Sequence, residues 1–301
     1  MLQTSTILRP RELPAPEEAL SIERLTESDE AEVLQFLSQR PIHTVAMMSM
    51  IRDNGVVSSL NRGAFYGCRD LNGQLEGVAL VGHATLIETV SDRALAALAR
   101  VARECPNTHM IMGEKERVAD FWSHYSEAGR RQRLACREWL FELTWPVEAR
   151  QTILGLRQAT PGELELVMPI QAELAFAESG VNPMEVDEEG FRRRCLRRIE
   201  QGRTWVVVEN GQLVFKGDVI SKTPEVIYLE GIWLRENHRN KNVGIRFMAE
   251  LMRRLLKDTK SICLFVNETN QLAQGFYRKC GFHFRATYET IFLPRKEQTQ
   301  N

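Results

Sequence analysis

The chain has 301 residues, 43% of them apolar and 26% charged, with a formal net charge of -1. That length accommodates two domains of ordinary size, each able to bury its own core. The near-zero charge excludes a whole-molecule attraction to nucleic acid or anionic lipid, so any anion site must be local.

Residues 1–20 read as a flexible tail, with Pro10, Pro14 and Pro16 among charges and no secretory apolar segment. Order is expected from a short strand at Ser21–Leu25, followed by a helix that Ser28-Asp29 caps and whose Val33, Leu34, Phe36 and Leu37 share a face. Pro41 interrupts it, and a second helix covers Thr44–Arg52. Strands are predicted at Ala64–Arg69, Leu75–Gly82 and Thr85–Val90, the first two joined by an Asn72-Gly73 turn. A helix from Asp92 to Glu104, a strand at Met110–Met112, a helix over Val118–Ala128 and a strand over Cys136–Leu143 complete the first half. Thr144–Thr152 contains Pro146 and lacks periodicity, which places a domain boundary there.

The second half repeats the order. A strand at Leu154–Arg157 leads to Thr160-Pro161-Gly162-Glu163, a capped helix start with Pro at its first position, and the helix runs to about Ser179. A loop to Met184 precedes a basic helix from Asp187 to Glu200. Strands follow at Thr204–Glu209, Gln212–Ile220 and Val226–Leu234, then a helix from Val243 to Lys257. A strand at Ser261–Val266, a helix at Gln271–Lys279 and a strand at Phe282–Leu293 close the chain. Asn72-Gly73-Gln74-Leu75 and Asn210-Gly211-Gln212-Leu213 sit at corresponding places, so the halves read as a diverged duplication.

The most informative stretch is Glu230–Gly244. An apolar strand enters a polar loop, His238 to Asn242, that opens onto a helix, and a helix N-terminus with its free N–H groups is a natural anion site. The loop reads Arg239-Asn240-Lys241-Asn242-Val243-Gly244 and is followed downstream by Asn267, Asn270, Ala273, Phe276-Tyr277 and Gly281-Phe282. On these residues the chain from about 153 to 293 resembles the GNAT superfamily of acyl-CoA-dependent N-acyltransferases, whose phosphate loop reads Gln/Arg-x-x-Gly-x-Gly/Ala. Asn242 stands in place of the first Gly, a mild departure because Asn accepts positive φ more readily than most residues.

The resemblance implies an α/β (α+β) fold of two GNAT-like domains, each a mixed, mostly antiparallel sheet flanked by helices. Residues 21–145 would be a degenerate domain and 152–301 the acetyltransferase domain. It implies acetyl-CoA as acyl donor, its pyrophosphate held by Arg239, Asn240, Lys241, Asn242, Val243 and Gly244. Its pantetheine arm would pair with the strand at Ile232, Trp233 and Leu234, with Asn267, Asn270 and Phe276 as further contacts. Tyr277 corresponds to the acid that protonates the leaving thiolate as a tetrahedral intermediate collapses, and a phenol is protonated at neutral pH. A packed tyrosine with a satisfied hydroxyl is the structural alternative. Glu230 corresponds to a carboxylate that takes the amine's proton directly or through water; a Glu in an apolar strand equally suits a buried ion pair. Alternation puts Tyr228, Glu230 and Ile232 on one face.

The loop carrying Glu178, Glu185, Asp187, Glu188 and Glu189 lies where the family shapes its acceptor pocket, and that charge would suit a cationic amine. The basic run Arg192 to Arg198 reads as a solvated face paired with nearby carboxylates, or as a contact for the 3′-phosphate of coenzyme A. In the first half Thr89-Val90-Ser91 offers neither glycine nor basic residues to a pyrophosphate, and Trp122 stands where the second half has Tyr277. The six cysteines lack C-x-x-C spacing and the histidines lack ligand spacing, so no metal is expected. Without an apolar run near the ~18 residues of a membrane span, a cytoplasmic monomer or homodimer is expected, with no membrane or nucleic-acid partner. The rival class is a non-catalytic acyl-CoA-binding or regulatory module, and a weaker one an interaction scaffold.

Overall fold

The periodic segments fold where their spacing puts them, and the halves share one order of elements. The computed structural model describes residues 20–145, 155–239 and 243–294. In the first half these are β1 (Ser21–Arg24), α1 (Glu30–Leu37), α2 (Pro41–Asn54), β2 (Gly63–Arg69), β3 (Leu75–Gly82), β4 (Ala84–Thr89), α3 (Asp92–Glu104), β5 (Met110–Glu114), α4 (Lys115–Tyr125) and β6 (Leu134–Leu143). The second half runs β7 (Arg157–Gln158), α5 (Leu164–Ser179), α6 (Pro183–Glu200), β8 (Thr204–Glu209), β9 (Gln212–Lys222), β10 (Val226–Leu234), α7 (Val243–Leu255), β11 (Ser261–Asn267), α8 (Gln271–Lys279) and β12 (His283–Phe292).

Element boundaries differ from the sequence reading for identifiable reasons. Pro41 starts α2, at a position whose N–H no helix uses, where the pattern suggested only a break. Pro183 likewise starts α6, and the helical spacing resumes after a kink at Asp187 (φ -160°), whose carboxylate accepts the Gly190 N–H at 2.8 Å. The strand expected at Leu154–Arg157 is found at Arg157–Gln158, overlapping at Arg157 alone, and Leu154 lies outside the described residues. The Asn72-Gly73 turn is a longer loop in which the Asp70 carboxylate accepts the N–H groups of Asn72 and Gln74. At Asn210-Gly211 both residues take positive φ (50° and 72°), as the two-residue hairpin requires. The expected tail falls on residues 1–19, and much of the expected boundary on 146–154; both lie outside the described residues.

All twelve strands join one sheet in the order β1-β2-β3-β4-β5-β12-β6-β11-β10-β9-β8-β7. The two final strands are exchanged: β12 pairs with β5 of the first half, and β6 pairs with β11 of the second. Side-chain burial fixes the exchange. Phe141 and Leu143 of β6 enter the core built on α7, while Ile291 of β12 and the adjacent Leu293 enter the core under α3 and α4. Each fully buried aliphatic or aromatic side chain contributes about 1.5–3 kcal/mol, so returning each strand to its own half would forfeit several such contacts. Helices α3, α4, α7 and α8 cover one face, and α1, α2, α5 and α6 the other. Residues 155–294 expressed alone lack β6 and are expected to be poorly folded by circular dichroism, with native signal regained on adding 20–145. A cooperative unfolding transition in the isolated fragment would contradict this.

Candidate active site

Strands β10 and β11 run parallel and pair from Val226–Ser261 to Leu229–Leu264, where the ladder stops. Both continue, to Leu234 and Asn267, so a gap opens between two lengths of strand whose facing N–H and C=O groups have no ladder partner. The divergence begins at a bulge: pairing with β9 slips between Glu230 and Trp233, and Gly231 takes φ 62°. A Cβ on Gly231 would stand 2.8 Å from Lys216 Nζ, so both conformation and space call for glycine.

That lysine anchors the bulge. Lys216, fully buried, donates to Gln171 Oε1 (2.6 Å), Asp218 Oδ2 (2.5 Å) and the Gly231 carbonyl (3.3 Å). Arg198 (3.2 Å) and Thr204 (2.8 Å) also donate to Asp218. The bulge overturns the expectation that Tyr228, Glu230 and Ile232 share a face. Tyr228 packs beneath α2, whereas Ile232 packs into the α7 core, because the extra residue shifts the alternation.

On the α7–α8 face, helix starts and aromatic rings converge on the gap. Gly244, in the first turn of α7, lies against Leu234 and Phe276, and a Cβ there would be 3.2 Å from each. Arg239 donates through Nε to the Leu234 carbonyl at 3.1 Å. Asn240, Lys241 and Asn242 lie outside the described residues. Val243 and Gly244 bring the helix's unpaired N–H groups to the end of β10. Tyr277 packs edge-on against Phe276 and Phe282, with ring centroids 5.3 and 5.8 Å away. Burial pushes its phenol pKa well up, which keeps the proton on, and among the described residues nothing accepts a hydrogen bond from its hydroxyl. Asn267 Oδ1 accepts from the Thr269 N–H and hydroxyl, shaping the turn after β11. Asn270 caps α8 by accepting the Ala273 N–H at 3.0 Å. Trp233 packs toward α5 and α6.

The opposite face is acidic. Tyr228 donates its hydroxyl to Glu230 Oε2 at 3.2 Å. Glu138 of β6 stands across from Asn267 on one side and Tyr288 on the other, and its Oε2 accepts the Thr290 hydroxyl at 3.1 Å. Burial pushes the Glu138 carboxyl up to about 7; the Thr290 hydrogen bond opposes the shift and the Glu230 charge adds to it. At the end of α5, Glu178 is also pushed up, by the enclosing protein first and then by Glu230 and Glu138. Its own surface is largely exposed. Three carboxylates thus feel one another across the end of the gap.

Sequence reasoning reached Glu230 and Glu178 but missed Glu138, because its strand is contributed by the other half. The available signal was a Glu directly before the apolar run Trp139-Leu140-Phe141. Three of the other acidic residues serve local structure: Asp187 holds Gly190 and Arg194, Glu185 accepts from Asn182, and Glu189 pairs with Arg193. Of the basic run, Arg192 pairs with Glu165 at the surface, while Arg198 turns inward to Asp218.

Because Glu138 titrates higher in the fold than in the unfolded chain, the folded state binds the extra proton between the two pKa values, and stability falls as pH rises from about 4.5 to about 7. Glu138→Gln is therefore expected to match the parent near pH 4 and to melt at a higher temperature at pH 8. Equal melting temperatures at pH 8 would remove the electrostatic account of this residue.

The first half has a corresponding divergence. Strands β4 and β5 pair only from Ala84–Met110 to Leu86–Met112. Here the chain fills the opening itself: Arg40 bridges Glu88 (3.0 Å) and Glu114 (2.6 Å), and Arg117 donates to the Thr89 hydroxyl and carbonyl, both at 2.9 Å. Helix α3 is capped by the Ser91 side chain, and Trp122 of α4 stacks on Tyr125. Among the described residues no cluster of three or more His, Cys, Asp or Glu could hold a metal ion, and no helix is long and apolar enough to cross a membrane.

Residues 170–282 match the family described as Acetyltransferase (GNAT) family. No curated protein sequence matches the chain. Among solved structures, a GCN5-related N-acetyltransferase from Sphaerobacter thermophilus is similar over 95% of this chain and 99% of that one, at 13% identity and a TM-score of 0.58. A GNAT-family acetyltransferase from Colwellia psychrerythraea is similar over 91% and 100%, at 12% identity and a TM-score of 0.56. A tandem GNAT protein from the clavulanic acid biosynthesis pathway is similar over 93% and 100%, at 13% identity and a TM-score of 0.55. At these identities the likeness is one of fold.

Proposed function

We propose, from the match of residues 170–282 to the GNAT family and the shared fold, that the second half, residues 152–301, transfers an acyl group from an acyl-coenzyme A, acetyl in the simplest case, to an amine. The observation that carries the reading is the gap beyond Leu229–Leu264, flanked by a protonated phenol on one face and three carboxylates on the other. A pantetheine arm has amides that suit the unpaired edge at Ile232, Trp233 and Leu234, as an added strand would. The N–H groups of the first turn of α7, with Arg239 beside them, suit a pyrophosphate.

In this reading a cationic amine enters from the acidic face, where Glu138, Glu178 and Glu230 attract it. Glu230, directly or through water, takes a proton from the ammonium, the freed lone pair attacks the thioester carbon, and the nitrogen, positive again in the tetrahedral intermediate, gives its second proton to solvent. The carbon–sulfur bond then breaks, and Tyr277 gives its proton to the departing thiolate and recovers one from solvent. The first half, residues 21–145, contributes Glu138 and the wall under α2 and does not take coenzyme A, its own opening being filled by Arg40, Glu88, Glu114 and Arg117.

Release of free thiol from acetyl-CoA over a panel of amines tests this. The expected result is turnover with cationic amines ahead of neutral and anionic ones. Binding of acetyl-CoA without thiol release on any amine would replace the enzyme with an acyl-CoA-binding module, and a preference for anionic amines would overturn the acidic acceptor face.

A further inference from the structure

The opening in the first half is not closed throughout. A cavity of about 60 Å³, partly open through a charged mouth, lies between α2 and the diverging ends of β4 and β5. Its inner wall is apolar, built from Ile42, Val45, Met47, Leu86, Met112 and Phe265. Both tyrosine hydroxyls in that wall have partners: the Tyr288 hydroxyl and His43 Nδ1 bond each other at 2.8 Å, and the Tyr228 hydroxyl is turned to Glu230. The chamber therefore offers an occupant hydrophobic contact and little else. At roughly 15 Å³ per water-sized group it holds about four such groups.

The mouth has the opposite character. Arg40, Glu88, Glu114 and Arg117 line both the chamber entrance and the wider surface depression outside it. Two of these side chains keep unused capacity of opposite sign. Arg117 spends two N–H groups on Thr89, and among the described residues has no carboxylate in ion-pair range. Glu114 gives Oε2 to Arg40 and leaves Oε1 without a hydrogen bond, 3.6 Å from His43 Nδ1. A lone anion would face two carboxylates at this mouth, and a lone cation two guanidiniums. A molecule carrying both charged groups on one carbon, with a short apolar branch, satisfies the mouth and the chamber together.

We propose that this cavity is a binding site for a free α-amino acid with a branched aliphatic side chain. Its carboxylate lies on Arg117, its ammonium on Glu114 Oε1, and its side chain fills the chamber. An isobutyl or sec-butyl group matches the volume, whereas a benzyl or indolylmethyl group exceeds it. The occupant would lie against the ring of Tyr228, whose hydroxyl holds Glu230, so the site is one side chain removed from the carboxylates of the second half.

Calorimetric titration of the full chain with L-leucine tests the proposal, with L-phenylalanine, isovalerate and isoamylamine as comparison ligands. Leucine is expected to bind at least tenfold more tightly than any of the three. Arg117→Gln is expected to weaken leucine binding at least tenfold, and Ala46→Leu, which narrows the chamber from α2 while keeping a good helix former, to abolish it. Circular dichroism of each variant establishes that it is folded. No heat with leucine, isovalerate binding as tightly as leucine, or wild-type affinity in a folded Ala46→Leu protein would each overturn the assignment. Acetyl-CoA binding is titrated separately, so failure of the acyl-transfer reading and failure of this one are distinguishable.

Discussion

Replacing Tyr277 by phenylalanine is expected to lower kcat by about 10²–10⁴-fold, the usual contribution of a positioned general acid, while acyl-CoA affinity changes by less than about twofold. The ring and its edge contacts with Phe276 and Phe282 survive the change, so packing is preserved and only the proton donor is lost. Burial pushes the phenol pKa well above its ordinary value, which keeps the proton on Tyr277 across the working pH range. The hydroxyl has no partner among the described residues, so its removal orphans nothing. Measured kcat with affinity read by calorimetry separates the outcomes. Undiminished turnover would mean that the thiolate leaves without help from this residue, and a parallel loss of affinity would make Tyr277 a packing residue.

Asp218→Ala is expected to cost about 3–5 kcal/mol of stability, the price of leaving buried charge unpaired. Asp218 is 1% exposed and holds Lys216, Arg198 and Thr204. Burial alone would raise its pKa, but the charges of Lys216 and Arg198 outweigh it and hold the carboxyl below the ordinary range. The stability it supplies is present above the ordinary carboxylate pKa and lost as pH falls through the depressed one. Urea unfolding at pH 7 gives the loss directly. Because Lys216 holds the Gly231 carbonyl, the bulge should also relax, so kcat at a temperature where the variant remains folded should fall as well. A loss below about 1 kcal/mol, the scale of an exposed pair, would show that the network is solvated and does not set the bulge.

The sequence made the elements legible, because periods of two and 3.6 residues are local properties. It also made legible the strand–loop–helix of Glu230–Gly244 and the Phe276-Tyr277 pair, which belong to single contiguous segments. What it hid depends on partners far away in the chain. The exchange of β6 and β12 has no local signature, since both strands present alternating apolar residues that suit either edge. Glu138 was missed for that reason, as it reaches the site only through the exchange. The bulge at Gly231 was missed because alternation was carried straight through a glycine, the residue type that interrupts it. Pro41 was read as a break, and Pro183 was placed in a loop, although proline favours the first helical turn. The lack of glycine and basic residues at Thr89-Val90-Ser91 was legible, whereas the ion pairs that Arg40 makes with Glu88 and Glu114 across the opening gave no signal.

The most direct test of the whole account is a calorimetric titration of the full chain with acetyl-CoA. The gap between β10 and β11 is open and its counterpart between β4 and β5 is filled, so the expected result is exothermic binding of one acetyl-CoA per chain. Absence of heat, or two molecules bound per chain, would contradict it.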